Sequence, residues 1–524
     1  MTRLFAAVVA AVQRGRSPGP IVASVWISTA LGGLAAAYAL AFLACVAVRL
    51  TYGFELSWLE SGMQAMTDQL AAHLSIYVEP SPSYVPFIYP PLFYVAAHVV
   101  SRALPSLDRF AAMRLVSLAS SVVTAAVVFA TLRRRPVPAT RVRWLLAALY
   151  FAFFGRFDFW YDTSRVDSLF VMLVFAGTAA LLDGRGARSA LLAGALGGLA
   201  ILTKQPALPL FGAAAVIHVA CSGPAVRRAQ LRRAALALVT AAVVVVVVLA
   251  ALGELGNPWF YYYVLQVPAS HTLLPRTLGF SALFLIGVMP AFVAAAAAKL
   301  RGDAAPVTGP APARVWAAVF VAWTGITFVL RLKQGASMNF FLPVVPVGLI
   351  VLAGVVVEWR AHGEALLLLQ FLVLLYNPLR AIPVAADWRA GFRLLNEVRD
   401  AQGPVFLPQF PAYLTMAGKP PVAHGIAICD LSALRPDLLR TIQARVEGGQ
   451  YPAAIPWPAD GEPGPDGHPC PQRGLPSSFH LAEPIPHGGA FFTAHHADKL
   501  AGLYLFHPAP LASREAHQNE RRLP

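Results

Sequence analysis

Apolar runs of about 15 to 25 residues recur along the chain as far as residue 384, separated by short polar segments rich in arginine. At a helical rise of 1.5 Å per residue such runs match a hydrocarbon core of ~30 Å, so the pattern predicts a mainly α, polytopic bundle of transmembrane helices. One run, "FIYPPLFYVAAHVVSRAL" at residues 87–104, decides the sidedness of everything after it. Counted as a span, it places the basic stretch "RRRPVPATRVR" at 133–143 outside, against the preference of Lys and Arg for the cytoplasmic side. Read as a helix lying in the outer interface, entered through Pro90 and Pro91, it leaves every strongly basic loop inside. The second reading gives about eleven spans, near residues 24–48, 114–132, 144–161, 167–182, 189–203, 206–221, 234–252, 279–298, 315–330, 340–357 and 365–384. The first follows Arg3, Arg14 and Arg16 and is too long for a signal-peptide core, so it is expected to stay as an uncleaved span with a cytoplasmic N-terminus.

After residue 384 the pattern changes abruptly to Pro, Gly, His and charged residues with short apolar pieces such as "GPVFLPQF" and "KLAGLYLFHP". The chain therefore divides into a membrane domain over 1–384, whose first outer loop at 49–113 carries interfacial helices, and a small extracytoplasmic α/β domain over 385–524 with a flexible end. Cys45 and Cys221 lie in apolar runs and read as core residues, whereas Cys429 and Cys470 lie in the tail and can pair if it is extracytoplasmic.

Composition agrees with the pattern: 57% of the 524 residues are hydrophobic and 13% charged, and the mean hydropathy is +0.60, which excludes a soluble globule. A net charge of +15 would point to nucleic acid in a soluble chain, but here the basic residues fall in inter-span clusters that fix orientation, so no nucleic-acid partner is expected.

Against this background "FFGRFDFWYDTSRVDSLFVML" at 153–173 stands out, with Arg156, Asp158, Asp162, Arg165 and Asp167 inside twelve residues. The spans near 168–182 and 189–203 are only about 15 residues long, or ~23 Å, so their outer ends should stop below the membrane surface around a wet cavity. Charge becomes tolerable in such a cavity and defaults to function. Asp158 and Asp162, four residues apart, would share a helical face, with Arg156 or Arg165 to neutralise them.

On the same side lie Glu60, at the start of a short amphipathic helix in "FELSWLESGMQAM", Lys204 in "ILTKQPAL", and Arg331 and Lys333 in "RLKQGASMNFFLP". Each has a plain alternative: Glu60 complements a helix dipole, Asp167 caps its own helix, and Lys204 suits a helix C-terminus. The aromatic "NPWFYYY" at 257–263 reads as an interfacial belt, with stacking on a sugar or prenyl chain as the other reading. His271 reads as a loop histidine rather than a metal ligand, and "HHAD" at 495–498 lacks a spaced partner set. Carboxylates and cations facing one cavity suit a transfer in which a base takes a proton while a departing phosphate is held.

In order along the chain, the acidic first outer loop, "YPPLFY" (89–94), "MRLVSLASS" (113–121) leading to a basic inner loop, "SRVDSL" (164–169) and "LTKQ" (202–205) resemble the GT-C superfamily of membrane glycosyltransferases. The chain is similar to bacterial aminoarabinose transferases, protein mannosyltransferases and the family 39-like proteins around them. The resemblance implies inverting transfer of a sugar from a polyprenyl-phosphate donor to a lipid, glycan or protein acceptor at the outer face of a bacterial inner membrane. Carried onto this sequence, Glu60 becomes the general base or acceptor-positioning group, Asp167 organises the site, and Lys204 contacts the lipid phosphate. Two positions depart from the pattern: the paired acids of the first loop read Leu59 and Glu60, and the lysine that often precedes the proline of the "PPL" region is replaced by Tyr89.

The candidate site is then Glu60, Asp167 and Asp162 as catalytic acids, with Arg165, Lys204, Lys333 and Arg331 on the donor phosphate. Tyr89, Gln205, Asn339 and His271 are placed to contact substrate. Carboxylates facing a cavity are of the type a divalent cation takes, but no spacing assigns a metal or other cofactor. Two rivals remain at this stage: a transporter or flippase of lipid-linked sugars, which should show inverted repeats or broken midplane helices, and a membrane scaffold acting through its tail.

Overall fold

The computed structural model describes residues 21–72, 74–135, 140–301, 311–359, 361–451, 453–454, 479–484 and 504–508. The N-terminal arginines, Cys470, "HHAD" and the last residues lie outside them.

The described chain is mainly helical. The membrane part consists of α1 (Ile21–Leu50), α2 (Glu60–Ala71), α3 (Leu92–Ala103), α4 (Arg109–Arg133), α5 (Thr140–Ala152), α6 (Asp167–Asp183), α7 (Gly186–Ile201), α8 (Ala207–Ala220) and α9 (Pro224–Ala251). It continues through α10 (Thr277–Val288), α11 (Pro290–Arg301), α12 (Ala313–Arg331), α13 (Val344–Trp359) and α14 (Ala361–Val373). Local chemistry sets several boundaries. The Asp108 carboxylate accepts from Ala111 N at 2.8 Å and caps α4. Pro224 opens α9 where its missing N–H costs nothing.

Among the described residues, length and apolar composition qualify Trp26–Leu50, Arg109–Arg133, Pro224–Ala251 and Ala313–Arg331 as crossings, and the total is six if the bent pairs α10–α11 and α14 with its continuation to Asp400 each count as one span. The sequence pattern predicts eleven, and several of those runs form shorter or broken helices. The expected span at 144–161 ends at Ala152, gives way to a 3-10 turn over Phe153–Arg156, and runs non-helically to Val166. The shared helical face expected for Asp158 and Asp162 is therefore absent; Asp158 and Phe159 instead have left-handed φ of 53° and 57°. The expected span at 279–298 bends by 85° at Met289 and Pro290, where the proline ring cannot accommodate the preceding helical turn. Residues 87–104 form a 12-residue helix, α3, about 18 Å long and short of a bilayer core.

α6 and α13 form the centre: α6 packs on α4, α7 and α8, and α13 on α4, α5, α11 and α12. Apolar side chains point outward on the flanks, among them Val239, Val243, Val246 and Val247 of α9 and Leu278, Phe280, Leu283 and Ile286 of α10. A chain with a buried polar centre and such a periphery, made of apolar helices, is a multi-pass membrane protein.

The C-terminal region contributes α15 (Ala385–Asp400), α16 (Pro411–Met416), α17 (Gly425–Asp430) and α18 (Pro436–Glu447). Its small sheet has the order β1-β2-β4-β3, from β1 (Val405–Phe406), β2 (Ala453–Ala454), β3 (Phe479–Pro484) and β4 (Tyr504–Pro508). β1 and β2 run parallel and the other pairs antiparallel. Cys429 is disulfide-bonded, while Cys45 and Cys221 are free. The region is docked on the first loop: Ala423 N donates to Pro82 O at 2.9 Å, His424 Nε2 lies 2.7 Å from Trp58 O, and α16 packs on α2.

Candidate active site

Three buried ion-pair systems gather where the first loop meets the 153–166 segment. Arg49 ends α1 and gives Asp162 two hydrogen bonds of 2.7 and 2.9 Å, and it also donates to the carbonyl of Phe159 at 2.8 Å. Holding two non-glycine residues at positive φ costs on the order of 1–3 kcal/mol each, so a clamp on this loop has strain to offset. Arg114, inside α4, makes a two-pronged pair with Glu60 at 3.1 and 2.6 Å and donates further to the carbonyls of Arg49, Tyr52 and Phe54. Arg165, Lys204 and the Asn339 amide converge on Asp167 at 3.2, 2.7 and 2.8 Å.

Beside the third system lies a cavity of about 680 Å³. Its wall carries the cations Arg156, Arg165, Lys204, Arg331 and Lys333 against two carboxylates, Asp158 and Asp430. Tyr89, Gln205, His271 and Asn339 also line it. Several of these residues are held in place by hydrogen bonds. Gln205 donates to Val264 O at 3.0 Å, Lys333 Nζ to Pro268 O at 2.9 Å, and the Arg156 guanidinium to Val373 O and Leu375 O at 2.8 and 2.9 Å. The Arg165 guanidinium carbon sits 3.7 Å from the Trp160 ring centroid and Lys204 Nζ 4.5 Å from that of Phe340. Flat aromatic faces steer these cations without neutralising them.

Most of the residues singled out from the sequence are thus brought together. Asp167 does not itself line the cavity, but it binds three residues that do, and so fixes Arg165, Lys204 and Asn339 relative to one another.

The structure places two of the expected catalytic acids away from the cavity. Glu60 is completely buried and does not reach the cavity: besides Arg114, the amides of Leu56 and Ser164 donate to it, each at 2.7 Å. Burial opposes its charge, but the Arg114 guanidinium and the two amides prevail and hold the carboxyl below its usual range. A carboxylate saturated in this way is a strut tying α2 to α4 and to the 153–166 segment; it has no approach to a substrate proton. Asp162 is likewise buried, engaged by Arg49 and outside the cavity.

Glu55 does not serve instead. It is buried and outside the cavity, and burial, with the Glu60 charge adding to it, pushes its carboxyl well above the usual range.

Sequence reasoning missed Asp430 altogether, passed over Asp158 as a member of an ion cluster, and assigned no role to Arg49 or Arg114. The available signal for the arginines was a charge at the end of an apolar run. Among the described residues no group of three or more His, Cys, Asp or Glu is arranged to hold a metal ion.

No family model matches the sequence, and no curated protein matches it. Among solved structures, the chain is similar to ArnT from Cupriavidus metallidurans bound to undecaprenyl phosphate, with 14% identity, coverage of 81% of this chain and 93% of that one, and a TM-score of 0.53. The apo form of the same protein aligns at 14% identity over 80% and 93% of the two chains with a TM-score of 0.51. The archaeal oligosaccharyltransferase AglB from Archaeoglobus fulgidus, in complex with an inhibitory peptide and a dolichol-phosphate, aligns at 11% identity over 83% and 70% with a TM-score of 0.44. Nearly the whole length of ArnT is matched by a chain with little of its sequence, and this protein therefore has the ArnT fold.

Proposed function

We propose that the protein transfers a sugar from a polyprenyl-phosphate donor to an acceptor at the outer face of a bacterial inner membrane, with its N-terminus in the cytoplasm and its C-terminal domain outside. The observation that carries this reading is the make-up of the cavity. Arg165, Lys204, Arg331 and Lys333 share it with an apolar lobe of Phe280, Phe284 and Val288 from α10, a helix whose Leu278, Leu283 and Ile286 face outward. A donor with a phosphate head and a prenyl tail has the same two halves. The ArnT crystal, whose fold this chain shares, holds undecaprenyl phosphate.

The chemistry follows from the charges. Attack of an acceptor oxygen on the anomeric carbon breaks the bond from that carbon to the phosphate oxygen, and the electron pair leaves with the polyprenyl phosphate. Cations fixed before the reaction stabilise that developing charge without reorganising, which is the largest contribution such a site can make. Asp167 supplies the fixing. Asn339, whose amide is spent on Asp167 and whose Oδ1 is buried without a partner, offers an acceptor to a donor-sugar hydroxyl. Attack opposite the departing phosphate inverts the anomeric centre.

The test is undecaprenyl-phosphate binding to the purified chain by native mass spectrometry. Lys333→Met should weaken it by roughly 10- to 100-fold, the equivalent of one hydrogen bond to a charged group. Equal binding by the two proteins would remove the phosphate site from this cavity.

A further inference from the structure

An acceptor hydroxyl attacking a sugar must lose its proton, and none of Glu55, Glu60, Asp162 and Asp167 lines the cavity to take it. Leu59, the neighbour of Glu60 that does line it, has no basic atom. Two carboxylates remain on the wall. Asp158 sits on the segment that also presents Gly155 and Arg156 to the cavity, and that segment packs against the apolar lobe through Phe157 and Phe284, 5.7 Å between ring centroids. Asp430 enters from the opposite direction, on the C-terminal domain. It closes α17, with Ile426 one turn earlier lining the same wall.

Asp430 has a companion. His271 Nε2 lies 3.4 Å from Asp430 Oδ1, and both side chains are about nine-tenths buried at 11% and 9% exposure. The backbone carrying His271 is stitched to the next loop on both sides of the cavity's cationic edge. Gln334 N donates to Thr272 O at 2.9 Å, Thr272 Oγ1 to Gln334 Oε1 at 3.0 Å and Leu274 N to Leu332 O at 2.6 Å. His271 is thereby held beside Lys333, whose ammonium is tied to Pro268 three residues earlier. α17 is equally constrained, since His424 caps it by accepting from Ile426 N at 3.2 Å and also contacts Trp58 O.

Tyr89 joins this pair to the cation cluster. It lines the same cavity, and burial raises its phenol above the usual range. Lys204 Nζ is 5.9 Å from the same ring.

We propose that His271 is the general base of the transfer and Asp430 its positioning partner, contributed to the site by the C-terminal domain. The inference rests on the transferase reading above. In the step, the acceptor O–H proton passes to the free ring nitrogen of His271 as the oxygen bonds to the anomeric carbon. The bond from that carbon to the phosphate oxygen breaks, and polyprenyl phosphate departs with the electron pair toward Arg165, Lys204 and Lys333. The Asp430 carboxylate, 3.4 Å from Nε2 and outside hydrogen-bond geometry in this structure, orients the ring and stabilises by its charge the imidazolium that forms.

The test uses the full chain in detergent with a panel of radiolabelled polyprenyl-phosphate hexoses and pentoses and an envelope fraction as acceptor. His271→Ala should lower kcat by ~10²–10⁴, the usual worth of a general base, with KM for the donor and undecaprenyl-phosphate binding held within about twofold. Added imidazole should restore turnover to His271→Ala and leave wild type unaffected. Asp430→Asn should lower kcat as well, and the double variant should lose little more than His271→Ala, because the two act as a unit. Wild-type transfer with full kcat in His271→Ala overturns the inference and leaves the transferase standing. A loss that imidazole does not rescue and that is matched by lost undecaprenyl-phosphate binding makes the pair structural and also overturns it. A wild-type chain that neither binds undecaprenyl phosphate nor transfers from any donor defeats the transferase reading, and this inference with it.

Discussion

At the scale of single residues, position in the charge network decides role, and residue type alone misleads. Glu60 and Asp430 are both acids near the 153–166 segment and the cavity beside it, yet one is enclosed by four donors and the other faces the cavity. Glu60→Ala should therefore act on folding: removing one partner of a buried ion pair leaves Arg114 uncompensated and costs about 3–5 kcal/mol. Thermal unfolding in detergent should show the loss, and Arg114→Met should show one of similar size. A Glu60→Gln protein with wild-type stability and no turnover would instead restore Glu60 as the base. The sequence made Asp167, Arg165 and Lys204 legible as a group, because charge on that side of a membrane needs a reason. It could not separate Glu60 from its surroundings, because Arg114 lies 54 residues away and only folding brings them together.

At the scale of elements, close helix contact and loop docking set the geometry of the site. α7 meets α9 through Gly194 and Gly198, where an added Cβ would stand 2.3 Å from Ala237 O and 2.7 Å from Ala241 O. Backbone oxygens cannot give way as a side-chain tip can, so Gly194→Ala should separate the two helices and lower stability by about 1–3 kcal/mol, the range for overpacking. Circular dichroism melting would record it; an unchanged melt would mean the contact is looser than the structure shows.

The docking of α17 carries a pH signature. Burial pulls His424 down to about 4 from an ordinary 6.5, against a weaker upward pull from its Trp58 hydrogen bond. Between those values the unfolded chain binds a proton that the folded one does not, so this contribution is complete above pH 6.5 and is lost as pH falls toward 4. The span of about 2.5 units sets an upper limit of about 3 kcal/mol. His424→Gln should flatten the pH dependence of unfolding over that window relative to wild type, and parallel profiles would show that the site is not docked as described.

Apolar periodicity located the long helices up to residue 373 but none of the four that follow residue 384. It could not foresee the breaks at Ala152 and Met289, since a cavity-lining loop or a bent pair has the same composition as a straight span.

At the scale of the whole molecule, the expected polytopic bundle and the fold resemblance agree with the structure, because a membrane leaves helices as the main way to satisfy a backbone. The crossing count is less legible. α7, α8 and α13 are apolar but shorter than a full crossing, and of these α13 is buried along most of its length. The C-terminal region was visible only as a change in composition. Its contribution of Asp430 to a cavity built by the membrane helices has no trace in the sequence, since α17 and the loop of His271 lie more than 150 residues apart.

The most direct test of the central claim is sugar transfer by the purified protein reconstituted in vesicles, supplied with radiolabelled polyprenyl-phosphate sugars and envelope acceptors. The account predicts label in the acceptor with inverted anomeric configuration, and its loss in Asp167→Asn. Movement of intact donor across the bilayer with no label transferred, undiminished in Asp167→Asn, would contradict it and identify the cavity as a transport site.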